Sequence, residues 1–153
     1  MNTYNITIFK SIKETNTPFY REAHQILERI KNGASKELVK KIRLEKNKSE
    51  RNEMKKMLPS ICFSGTFNKR ADTSIIEHSG LVCLDFDGYE KQKDLLQDKE
   101  MLTKNKYVFS VFISPSGNGL KVLVKIPKEI DNHFQIYQMY TFQVKNKKIR
   151  DEL

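Results

Sequence analysis

Four apolar residues, Leu81-Val82-Cys83-Leu84, run directly into Asp85-Phe86-Asp87-Gly88. An apolar run of this length stopped by an Asp-Gly signal predicts a buried strand over 81–86 that ends in two carboxylates. Side chains two residues apart on a strand point to one face, about 7 Å apart along the backbone. Two acids so placed repel each other unless a cation sits between them. Hard divalent ions such as Mg²⁺ or Mn²⁺ take carboxylate oxygens and keep positions open for phosphate oxygens. The same residues also read as a strand end turning through Asp87-Gly88, with Asp85 solvated or capping.

The grammar around this strand is mixed. Residues 4–9 (YNITIF) alternate as a short strand and lead into a polar connection ending at Pro18. Ala23, Ile26, Leu27 and Ile30 recur at helical spacing before Asn32-Gly33, which predicts a helix near 19–31. Ser35 can cap a second helix bearing Leu38, Val39 and Ile42. A polar interruption, EKNKSE, then precedes a short third helix with Met54, Met57 and Leu58 on one side, ended by Pro59. Beyond Pro59, residues 60–63, 81–86, 107–113 and 120–126 read as strands, and 90–102 and 131–144 as helices. This succession predicts an α+β or α/β fold. In 120–126, Leu120, Val122, Val124 and Ile126 share a packing face, while Lys121 and Lys125 share a face that can meet a ligand.

The 153 residues suffice for one domain with a real core, and the 38% hydrophobic content contains no run of the roughly 18 apolar residues that span a bilayer. With no secretory leader at MNTYNITIFKSIKE, a cytoplasmic protein is expected, and the terminal RDEL reads as coincidence. The net charge of +9 is uneven. Residues 1–59 hold 14 Lys+Arg against 7 acids, residues 60–144 hold 10 against 10, and residues 145–153 hold 4 against 2. A basic segment beside a neutral one suits a polyanion such as nucleic acid, and equally a solvated helical surface. Cys62 and Cys83 lie in apolar runs and read as buried thiols. Neither they nor His24, His78 and His133 follow a zinc spacing.

Two further clusters can carry chemistry. SPSGNGLKV (114–122) predicts a tight hairpin whose glycines let a phosphate approach the main chain, with Lys121 beside it to neutralise charge. It is not a P-loop, because GK[ST] is absent and a strand follows. In FSGTFNKRADTSIIEHSG (63–80), Lys69 and Arg70 stand in a polar loop. Arg70 can fork onto phosphate or simply lie on the surface. His78 is open between base, ligand and turn residue.

Taken together, LPSICFSGTFNKRADTSIIEHSGLVCLDFDGYE and FISPSGNGLKVLVKI resemble the VirE N-terminal domain family, grouped with the archaeo-eukaryotic-type primases, over roughly residues 20–145. The resemblance implies a primase-polymerase-like (RRM-like sheet) core behind an N-terminal basic helical region. The expected organisation is one domain over 1–153: strand and basic helices in 1–59, the motif-bearing core in 60–145, and a frayed tail in 146–153. It also implies a nucleotidyltransferase of a replication, phage or mobile-element protein. Asp85 and Asp87 would hold Mg²⁺ or Mn²⁺, while Ser114, Ser116, Gly117, Gly119, Lys121 and Arg70 would contact nucleotide phosphates. DNA and nucleotide triphosphates are the implied partners, with a helicase or other replication protein beside them. Lys121 stands where many superfamily members carry histidine. The third metal-binding acid is not evident: Asp131 comes too early and Asp151 too near the end, so a C-terminally truncated or degenerate member is expected, or one completed by a partner chain. Two alternatives stand beside this reading. One is a catalytically incomplete, nucleic-acid-binding accessory module. The other is a haloacid-dehalogenase-like phosphatase, whose DxDG motif is usually followed by Thr where Tyr89 stands here.

Overall fold

The structure, a computed structural model, describes residues 3–128. The helix expected at 131–144, the tail at 146–153, His133, Asp131 and Asp151 lie outside the described residues. The fold is mixed α+β, with four α-helices and three small sheets among the described residues. The strand Asn5–Phe9 pairs antiparallel with Phe19–Glu22 and Ser60–Cys62, as do Gly65–Phe67 with Ile75–His78 and Val108–Ile113 with Leu120–Lys125. The described residues divide into two compact units, one of 3–81 with Pro115–Gly117, the other of Val82–Ser114 with 118–128.

In the first unit, β1 (Asn5–Phe9) is the middle strand of a β2-β1-β3 sheet with β2 (Phe19–Glu22) and β3 (Ser60–Cys62). The helix expected from residue 19 begins only with α1 at Ala23 (Ala23–Lys31), because Phe19–Glu22 pair with Ile8–Asn5 as a strand. Available ladder hydrogen bonds outweigh a local periodicity whose first apolar member is Ala23 in any case. The Asn32-Gly33 stop is a Schellman turn, with Ala34 N–H donating to Arg29 O and Gly33 N–H to Ile30 O. Then α2 (Lys36–Leu44) follows Ser35, whose side chain makes no cap bond, and buries Ile42 completely.

The polar stretch expected to interrupt the helices instead starts one. Asn47 Oδ1 accepts from Ser49 and Glu50 N–H at 2.9 and 3.3 Å, opening α3 (Lys48–Lys55). Met57 falls beyond its end and is 66% exposed, so it does not share a buried face with Met54.

A second departure lies in 63–80. Lys69 and Arg70 do stand in a loop, but it joins two strands not foreseen, β4 (Gly65–Phe67) and β5 (Ile75–His78), bulged at Thr66/Phe67, with a single 3₁₀ turn before β5. Strands of three and four residues are too short to show a period. A buried hydroxyl holds this hairpin to β1: Thr7 Oγ1 donates to Gly65 O at 3.1 Å and accepts from Phe67 N–H at 2.9 Å.

In the second unit, β6 (Leu81–Phe86), β8 (Leu120–Lys125) and β7 (Val108–Ile113) form a sheet with β8 in the middle, and α4 (Gln92–Thr103) contributes Leu95 and Leu102 to its core. Val82, Leu84 and Phe86 from β6 meet Leu120, Val122, Val124 and Ile126 in that core, as their alternation requires. The opposite face of β8 is less open than expected. Leu123, between Lys121 and Lys125, is fully buried, and both lysines are partly buried. No helix among the described residues is long and apolar enough to cross a membrane.

Candidate functional site

Alternation along β6 sends Val82, Leu84 and Phe86 into the core and leaves Asp85 exposed on the other face. Three contacts run in opposite sequence directions, Asp85 with Lys121, Phe86 with Gly119 and Tyr89 with Asn118, which is the order of an antiparallel ladder. The ladder brings Lys121 Nζ to 2.7 Å from Asp85 Oδ1, with side chains 32% and 45% exposed. At that exposure an ion pair contributes about 0–1 kcal/mol, so it holds a geometry without locking it. Lys121, expected on a ligand's phosphate, here rests on the acid expected to hold the metal.

Asp87 follows the end of β6 and is exposed. A Cβ placed at Gly119 would lie 2.6 Å from Asp87 Oδ1, 2.8 Å from Phe86 O and 3.1 Å from Ser114 Oγ. The close approach foreseen for a phosphate at this glycine is therefore made by the chain's own carboxylate and carbonyl. Gly88 and Gly117 take φ of 83°, the left-handed region open to glycine, so both the Asp87-Gly88 turn and the 114–119 hairpin turn form as expected. Ser114 is buried, and its N–H donates to Gly119 O at 2.8 Å to close that turn.

Tyr89, which sequence reasoning noted only as a departure from a phosphatase motif, anchors the site. Its O–H donates to Asp98 Oδ2 on α4 at 2.7 Å, its N–H to Asn118 O at 3.1 Å, and its ring packs on the core. No local pattern links Tyr89 to Asp98 or Asn118, because both partners arrive through tertiary packing.

The remaining expected residues belong to the first unit. Arg70 Nε donates to Ser60 Oγ at 3.0 Å and its N–H to Thr15 O at 2.8 Å, which ties the guanidinium stem to β3. Lys69 is exposed beside it. Ser116 and Gly117 sit in the Pro115–Gly117 segment, where Arg43 Nε, an interaction with no sequence signal among so many N-terminal cations, reaches Pro115 O at 3.4 Å. His78 Nδ1 accepts from Gly80 N–H at 3.0 Å, a turn role rather than that of a free ligand nitrogen.

Both cysteines are free and partly buried. Burial, aided by the Asp85 charge and opposed by Lys121, pushes the Cys83 thiol up to about 12. Burial likewise raises Cys62, with Arg70 opposing and Asp72 adding to the shift.

The hard donors that the sequence marked for a divalent ion are the carboxylates of Asp85 and Asp87. Asp85 and Asp87 supply carboxylate oxygens, and the Lys121 ammonium already occupies a cation's place on Asp85. Mg²⁺ is commonly held by one or two carboxylates together with substrate phosphates and water. Two ions would need more, and among the described residues no group of three or more His, Cys, Asp or Glu is gathered to hold a metal.

These observations define a mixed α+β protein in which an acid-ended strand lies beside a glycine-rich hairpin. Residues 53–147, more than half of the chain and all of the expected site residues, match the family described as BT4734-like, N-terminal domain, and the chain belongs to that family. No curated protein and no solved structure matches it.

Proposed function

We propose that this chain is a nucleotide- and nucleic-acid-handling domain of primase-polymerase type. In this reading Asp85 and Asp87 hold a divalent cation, and Lys121 with the 114–119 hairpin receives nucleotide phosphate. The observation that carries the reading is the meeting of Asp85, Lys121 and the Asp87–Gly119 contact where β6 and β8 run out of the core. A sheet end that exposes carboxylates beside an ammonium can bind a metal and a phosphate together, which neither group does alone. Bound Mg²⁺ or Mn²⁺ would supply neutralisation of phosphate charge. Asp85 and Asp87 would hold it, and Lys121 would orient the phosphate. The excess of cations in residues 1–59 supports a polyanionic second partner, for which DNA is the natural candidate. Arg70, Ser116 and Gly117 enter this reading through the family resemblance alone.

A second reading, a binding module without turnover, is favoured by the carboxylate count: two acids hold one ion, whereas phosphoryl transfer by two ions needs further ligands. One experiment separates the two. Primer-template DNA and nucleoside triphosphates are incubated with Mn²⁺ and either the natural chain or Asp85→Asn plus Asp87→Asn, and both product and nucleotide binding are followed. Extension lost in the double variant supports the enzyme. Mn²⁺-dependent nucleotide binding without extension supports the module. Absence of both sinks the proposal.

A further inference from the structure

The ion pair between Lys121 and Asp85 places a cationic phosphate ligand on the carboxylate that the proposed function assigns to a metal. We infer that Lys121 is an exchangeable stand-in for the divalent cation, so that metal and phosphate bind this site in linked fashion. The inference rests on the proposed function and concerns its regulation.

In the described structure Asp85 Oδ1 is satisfied by Lys121 Nζ at 2.7 Å, with both side chains partly open to solvent. A divalent ion approaching Asp85 meets an ammonium 2.7 Å from one of its two carboxylate oxygens. The two cations repel each other at that range, so the ion competes with the lysine for the carboxylate. Because the pair is part-exposed, displacement costs little. Lys121 rises from β8 on a flexible four-carbon stem with three donors, and its backbone is held in the middle of the sheet. The released ammonium stays beside the site, where it can accept a phosphate group.

Asp87 makes a different contact: its Oδ1 lies 2.6 Å from where a Cβ on Gly119 would sit, against the hairpin rather than against Lys121. One acid is therefore paired with a movable cation, and the other stands against Gly119 of the hairpin. In the absence of phosphate, Lys121 suppresses metal binding. When a polyphosphate is present it gives Lys121 a second anion, and metal affinity rises. Each ligand thus strengthens the other by the same factor, as linkage requires.

The test uses Mn²⁺, followed by the paramagnetic signal of the free ion, and inorganic tripolyphosphate, followed by calorimetry with the metal complex. Lys121→Met is compared with the natural chain, with Lys125→Met as a control for net charge and Asp85→Asn as a control for the site. Lys121→Met should bind Mn²⁺ alone more tightly, by up to about fivefold, the weight of an exposed ion pair, yet bind the Mn²⁺–tripolyphosphate complex more weakly. A merely structural role would weaken both. Unchanged or weaker Mn²⁺ binding in Lys121→Met, or the same gain in Lys125→Met, overturns the inference while leaving the proposed function standing. Mn²⁺ binding that is absent from the natural chain, or indifferent to Asp85→Asn, overturns the proposed function and the inference with it.

Discussion

The Asp87 carboxylate occupies space that a side chain at residue 119 would need: Oδ1 lies 2.6 Å from where a Cβ on Gly119 would sit. The φ of Gly119 is not in the left-handed region, so its requirement for glycine comes from contact rather than backbone conformation. Hairpin and acid pair are consequently interdependent, and a methyl group is enough to separate them.

Gly119→Ala should therefore destabilise the protein by about 1–3 kcal/mol, the usual cost of overpacking a close contact. Asp87 can rotate away, but Phe86 O at 2.8 Å is backbone and cannot. Thermal unfolding gives the comparison, and a variant as stable as the natural chain would show that the contact relaxes freely.

Tyr89→Phe removes the 2.7 Å hydrogen bond to Asp98 while keeping the ring in the core. A loss of about 0.5–1.5 kcal/mol is expected from one such bond. Urea unfolding with an unchanged m-value would assign that loss to stability rather than to altered compactness.

Thr7→Val keeps the shape of a fully buried side chain but leaves Gly65 O and Phe67 N–H without their hydroxyl partner. Orphaning buried backbone groups should cost about 1–3 kcal/mol. Thr7→Ser retains both bonds and should recover most of that. Equal losses in the two variants would point to the methyl group instead.

Cys83 makes stability depend on alkaline pH. Its folded-state value is about 12 against 9.0 for an unperturbed thiol, so the unfolded chain loses this proton first as pH rises. Its contribution is complete below pH 9 and is lost progressively between about 9 and 12, at about 1.4 kcal/mol per pH unit. Urea midpoints for the natural chain should fall more steeply above pH 9 than those of Cys83→Ala. At pH 8 the thiolate fraction of Cys83 is on the order of 10⁻⁴, so native-state alkylation should be about a thousandfold slower than for a free thiol. Parallel pH profiles or rapid alkylation would contradict this.

Much of the second unit was readable locally. The 81–86 strand has the limits its apolar run and Asp-Gly stop prescribe, and α4 and the β7–β8 hairpin lie within a residue or two of expectation. Strong alternation, a turn rich in glycine and a long helix each carry a local signal. The first unit was less legible where pairing overrode local pattern. Phe19–Glu22 became a strand because β1 offered a ladder, and Gly65–Phe67 and Ile75–His78 paired although neither is long enough to show a period.

For the site, chain order alone determined that two carboxylates end a buried strand and that a lysine follows a glycine-rich turn, because alternation and turn chemistry act between near neighbours. Only tertiary structure decided what these groups touch. Lys121 meets Asp85, Asp87 meets Gly119 and Tyr89 meets Asp98, and the first two contacts join residues more than thirty positions apart through the β6–β8 ladder. Residue type and spacing specify which charges are present. The register of the ladder, set by burial of the sheet's apolar face, specifies which of them neutralise one another.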